Sequence, residues 1–115
     1  MQEHGDQEGE GHLQAKIKVA KALSAAGYTV AYEQPFEIEN NEHPYTVDIH
    51  MPDHDVYIEI DGRTHESKIR QWRDRMRDEY LRDHHNQRGI RMRIEEAMAY
   101  PEQIIPRVDL LVKHS

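Results

Sequence analysis

The sequence predicts an α/β fold, a small mixed β-sheet with helices covering it, and three features carry that expectation. Apolar residues recur at helical spacing between Gly11 and Ala26. Two alternating runs, Tyr45 to Met51 and Val56 to Asp61, flank the turn-forming cluster Pro52-Asp53-His54-Asp55. A second helical stripe then leads into another alternating segment at Ile90. The resulting order is α-β-β-β-α-β, in one domain spanning residues 11–115.

The first helix presents Leu13, Ile17, Ala20 and Leu23 on one face, and Gly27 is a natural stop. Tyr28 to Ile38 is rich in β-branched and aromatic residues and reads as a strand, with Pro35 placing its later part at an edge or bulge. Asn40-Asn41 is a turn. In the hairpin, Val47, Ile49 and Met51 point one way, as do Val56, Ile58 and Ile60. A two-residue loop at Asp53-His54 would pair Met51 with Val56, His50 with Tyr57, and Asp48 with Glu59. From Glu66 to His85, Ile69, Trp72, Met76 and Tyr80 form a stripe that predicts core packing for Trp72 rather than a base-stacking role. Asn86 to Gly89 ends that helix, and a strand is expected through Ile90, Met92 and Ile94. Pro101 could start a short helix in the weakly patterned remainder.

With no cysteine, thiolate metal sites, disulfides and cysteine nucleophiles are excluded. No apolar run is long enough to cross a bilayer and no leader-like segment opens the chain, which predicts a soluble, cytoplasmic protein without a membrane partner. The formal net charge of −7 argues at first against nucleic acid. The charge is unevenly distributed, however. Residues 1–10 carry Glu3, Asp6, Glu8 and Glu10 with no Lys or Arg, and read as a disordered acidic tail. Between Glu66 and Arg93, nine basic residues stand against five acidic ones, so a basic surface is compatible with the sum.

The candidate chemistry lies on the polar side of the hairpin. Opposed carboxylates at Asp48 and Glu59 would sit at cross-strand distance, where like charges repel, and Asp61 projects from the same face. Such a set needs a cation, a proton or basic partners to offset it. Oxygen donors suit a hard ion such as Mg²⁺ or Mn²⁺, able to activate water for phosphodiester hydrolysis. The plain alternative is a solvated hairpin face. The absence of any Lys or Arg on that face, and the acid-to-acid pairing, favour a site.

The string Val47-Asp48, Tyr57-Ile58-Glu59-Ile60-Asp61-Gly62, His65, Arg73-Asp74, Arg77-Asp78 with Leu81, and Gly89-Ile90-Arg91-Met92-Arg93-Ile94 resembles the PD-(D/E)xK nuclease superfamily. It is most similar to the branch of very-short-patch repair endonucleases and related small endonuclease-like domains. The resemblance implies a restriction-endonuclease-like αβββαβ core and a Mg²⁺-dependent endonuclease acting on DNA, with Asp48, Glu59 and Asp61 as metal ligands. It also implies two alternatives: a silent module binding nucleic acid or protein, or a Holliday junction resolvase acting as a homodimer.

One departure stands out: Asp61 occupies the position of the lysine that orients the attacking water in that superfamily. His65 is then the first candidate for proton transfer and Lys68 the second, although a surface His at a helix entry is the plain reading of His65. The superfamily's first-helix Glu has no clear counterpart, since the plausible positions hold His12 and Gln14; Gln14 is a candidate contact to substrate. Arg63, Arg70, Arg73 and Arg77 are candidate phosphate contacts. For the helical arginines the competing role is in i,i+4 pairs along the helix, Arg70–Asp74, Arg75–Glu79 and Asp78–Arg82.

Overall fold

The computed structural model describes residues 2–62 and 67–113, with side chains from residue 9 onward. The order is α1 (Gln2–Ala25), β1 (Ala31–Phe36), β2 (Tyr45–Met51), β3 (Val56–Asp61), α2 (Lys68–His85), β4 (Arg88–Arg93), α3 (Ile94–Ala99), a 3₁₀ turn (Pro101–Gln103) and α4 (Ile104–Lys113). The strands form one mixed sheet in the order β1-β2-β3-β4. β1, β2 and β3 are antiparallel neighbours, while β3 and β4 run parallel and are joined by α2. A parallel pair needs a crossover of this kind, because a tight turn cannot reverse the chain twice.

Two layers of helices cover the sheet. On one face Ala15, Val19, Ala20 and Leu23 of α1 pack with Ile49, Met51, Ile58, Ile60, Ile90 and Met92, and with Ala97, Ile104 and Val108 of α3 and α4. Each large aliphatic side chain removed from water here contributes about 1.5–3 kcal/mol before entropy is charged against it. On the other face a smaller cluster joins Val47, Tyr57 and Leu81, with Phe36 and Tyr45 against it.

The helix ends have local causes. Gly27 takes φ +99°, and the Tyr28 N–H reaches back to the Leu23 carbonyl, closing α1 where the sequence places a stop. Ser67 caps the start of α2, its hydroxyl accepting from the Arg70 N–H, and Asn86 ends it in the left-handed region. Arg88 donates to the Leu111 carbonyl near the end of α4, where cations meet the negative end of the helix dipole.

Several expectations need correction. α1 starts at Gln2, so its backbone runs into the acidic segment expected to be a tail. The buried face of α1 is Ala15, Val19, Ala20 and Leu23, and Leu13 is exposed; small alanines let the helix lie close to the sheet. Ile94 opens α3 instead of extending β4. Most consequential is α2. Leu81 is its buried apolar anchor, while Ile69, Trp72 and Met76 are exposed, so Trp72 is not a core residue. The rotation of α2 is set by polar contacts: Asp78 accepts from the Tyr57 hydroxyl at 2.6 Å and takes two hydrogen bonds from Arg91 of β4.

Tyr57 lies directly over Gly89, its partner in the parallel ladder. A Cβ at Gly89 would fall onto the Tyr57 ring, closer than real side-chain atoms approach. Because the ring is buried and tied to Asp78, it has little room to yield. Gly89→Ala is therefore expected to cost about 1–3 kcal/mol, the range typical of overpacking, read as a lower urea midpoint at unchanged slope. A midpoint equal to the parent's would show that Tyr57 moves freely.

Candidate functional site at the divergence of two strands

The hairpin register follows the expectation from its turn: Met51 pairs with Val56, His50 with Tyr57 and Ile49 with Ile58. There the ladder stops. Beyond it β2 stays with β1, pairing Val47 with Gln34, and β3 stays with β4, pairing Glu59 with Arg91. The sheet thus forks at Asp48 and Glu59. The side-chain alternation of β2 breaks at the same place, since Val47 packs beneath α2 while Ile49 and Met51 pack beneath α1. The expectation of one wholly apolar hairpin face fails here. The other face is also not solvated, because Tyr57 and His50 are buried.

A fork strands backbone groups that a ladder would satisfy. Two carboxylates take their place. The Asp48 N–H donates to Glu59 Oε2 at 3.2 Å, and the Ile60 N–H donates to Asp48 Oδ2 at 2.7 Å. The cross-strand pair of Asp48 with Glu59 that the sequence register implied does not form; the two acids are adjacent because each carboxylate accepts a backbone N–H across the gap. The neighbourhood raises the Glu59 pKa to about 8: burial is the chief cause and the Asp48 charge the second. Arg91, the Asp48 N–H and the Tyr45 hydroxyl offset part of that rise.

His12 of α1 closes the fork from the other side. Its Nε2 lies 3.2 Å from Asp48 Oδ2 and 3.1 Å from the Ile60 carbonyl oxygen. Both partners are acceptors, so Nε2 carries the proton. Gln14, two residues on and about 200° around the helix, is exposed and does not face the fork.

Glu59 and Asp61 also line a cleft of about 350 Å³ with Tyr45, Arg70, Arg73, Asp74, Arg77 and Arg91. Three of the arginines singled out in the sequence therefore converge on the acidic strand. Arg77 sits over the Tyr45 ring, 4.2 Å from its centroid. Asp61 pairs with Arg91 at 3.3 Å, so this acid has a cationic partner from β4. Burial works against the Arg91 charge, but the hydrogen bond to Asp78 and the Asp78 and Asp61 charges outweigh it and raise its pKa. Asp78 binds Arg91 across the helix–sheet interface, where the sequence suggested a pair with Arg82 along the helix.

Lys68 is exposed at the start of α2 and is not part of the cleft wall. His65 and Arg63 lie outside the described residues. Among the described residues no three His, Cys, Asp or Glu side chains already form a metal-holding group. Mg²⁺ is nevertheless commonly held by one or two carboxylates with water and phosphate completing the shell, and Asp48 with Glu59 is a donor pair of that kind. His12, Tyr45 and Arg91 are site residues that the sequence reading did not single out as such. Two of them carried a signal: Arg91 its place in the Gly-hydrophobic-Arg strand, and His12 its place in the first helix where the resemblance expects an acidic ligand. No family model, no curated protein and no solved structure matches this chain.

Because folding raises the Glu59 pKa from 4.5 to about 8, the native state binds more protons than the unfolded chain between those values. The Glu59 contribution to stability is therefore greatest below pH 4.5 and declines as pH rises towards 8. Glu59→Gln should remove that component, so its melting temperature gains on the parent's between pH 5 and 9. A difference independent of pH would place the Glu59 carboxyl in an ordinary solvated setting.

Proposed function

We propose that this chain is a metal-dependent nuclease that hydrolyses phosphodiester bonds in DNA, with Asp48 and Glu59 as the metal-binding carboxylates. The observation that supports it most is the placement of these two acids at the strand fork, beside a cleft walled by Arg70, Arg73 and Arg77. A cleft holding both signs of charge suits a cation together with a phosphodiester. Purely acidic sites repel the backbone, and purely basic ones hold it without activating water.

The roles follow from the contacts. Asp48 is held by the Ile60 N–H and His12, so its carboxylate is oriented before any ligand arrives. Glu59, reluctant to ionise because it is buried and next to Asp48, would gain most from a neighbouring divalent charge, which would favour its deprotonated form. Mg²⁺ or Mn²⁺, if held by these acids, would supply Lewis-acid stabilisation of the phosphoryl charge and a lowered water pKa. Arg70, Arg73 and Arg77 would hold non-bridging phosphate oxygens and set the backbone over Glu59. Asp61 acts through Arg91 as part of the cleft wall, so we assign it no metal contact. Proton transfer falls to His65 in this reading, with Lys68 as its substitute.

The silent binding module remains the rival because of one feature: the acid in the lysine position is neutralised by Arg91. Cleavage of single-stranded, duplex and branched DNA in Mg²⁺ or Mn²⁺ separates the two. Asp48→Ala and Glu59→Ala are each expected to lower the cleavage rate by about 10³-fold or more, and chelation should abolish it. Full activity in both variants would sink the assignment. Absence of cleavage by the parent, with no Mn²⁺ binding in calorimetry, would favour the binding module.

A further inference from the structure

The apolar stripe of α2 is turned to solvent: Ile69 is 65%, Trp72 54% and Met76 45% exposed. Each of these residues immediately precedes a cleft arginine, Arg70, Arg73 and Arg77 respectively. The apolar stripe therefore lies about 100° around the helix from the arginine stripe and runs alongside it. Over residues 68–77 five basic residues stand against one acid, Asp74, which lies 4.0 Å from Arg91 at the sheet. A flat indole flanked by apolar neighbours, bordered by a basic row that leads into the cleft, is thus one continuous surface.

We propose that the Ile69–Trp72–Met76 face is a stacking platform for unpaired bases of a single-stranded DNA segment whose phosphates run along Arg70, Arg73 and Arg77. The proposal rests on the reading of the cleft as a phosphodiester site and adds the form of the substrate. Charge selects this occupant. A polyanion complements the basic row, whereas a second copy packed through the same face would bring two basic helices together. Base form selects it further, because duplex bases are stacked on one another and offer no free ring face to an indole. Stacking on an aromatic side chain is sequence-tolerant, as every base has a π-face.

Trp72 is the single tryptophan of the chain, so its fluorescence reports on this face alone. The test titrates the full-length chain, in chelator, with oligothymidylate of about 15 nucleotides, a length within the range of single-stranded sites. An abasic strand of equal length, a duplex and inorganic polyphosphate serve as comparisons. Oligothymidylate should quench Trp72, and the abasic strand and polyphosphate should not. With a labelled strand, Trp72→Ala should weaken oligothymidylate binding about tenfold and leave abasic-strand binding unchanged, while Trp72→Phe keeps most of the affinity. Far-UV circular dichroism verifies that the exposed-site variants fold.

Equal quenching by the abasic strand, or unchanged affinity in Trp72→Ala, would overturn the platform. So would a dimer in sedimentation that Trp72→Ala converts to monomer, which would assign the face to a second copy. Chelator separates this inference from the nuclease reading. Quenching without cleavage in added Mg²⁺ upholds the platform and removes the nuclease; cleavage without quenching does the reverse.

Discussion

The structure turns on the parting of β2 from β3 after the Ile49–Ile58 pair. Up to that point the two strands share a regular ladder. After it each keeps its outer neighbour, and two backbone N–H groups are left facing a gap. An unpaired buried N–H costs about as much as a lost hydrogen bond, so the gap persists only if something accepts from both donors. Asp48 and Glu59 do so, each reaching a backbone N–H on the opposite strand. The two acids that define the candidate site are therefore also the groups that make the fork tolerable.

That dual role explains the electrostatic character of the site. The acids must lie close together to bridge the gap, and burial, with the neighbouring Asp48 charge second, penalises ionisation of Glu59. The chain relieves this only in part, through Arg91 on the cleft side and the His12 Nε2–H on the other. What remains is a carboxyl pair with Glu59 reluctant to ionise, beside a basic wall.

Arg91 ties the fork to the second layer of helices. Its guanidinium takes Asp78 of α2 through two hydrogen bonds and Asp61 of β3 through a third. Asp78 also accepts from the buried Tyr57 hydroxyl. With so small an apolar cluster on this face, directional contacts rather than burial fix how α2 is rotated. The rotation brings Arg70, Arg73 and Arg77 to the cleft and turns Trp72 outward. Placement of the cleft and exposure of the apolar stripe are thus two consequences of one polar network.

The element order, the hairpin register and the closeness of Asp48 to Glu59 were legible in the sequence, because alternation and a four-residue turn cluster are local signals. Gly27 as a helix stop was legible for the same reason. The fork was not, since whether a ladder continues depends on the outer neighbours β1 and β4, which no local pattern encodes. Trp72 shows the same limit. Its spacing with Ile69 and Met76 is that of a core stripe, and only the pairing of Asp78 with Arg91, across thirteen residues of chain, decides which side of α2 meets the sheet. His12 likewise reaches Asp48 over thirty-six residues, so its place in the site belongs to the tertiary packing of α1. Periodicity determined which elements form. The partners available to each buried charge decided how those elements face one another.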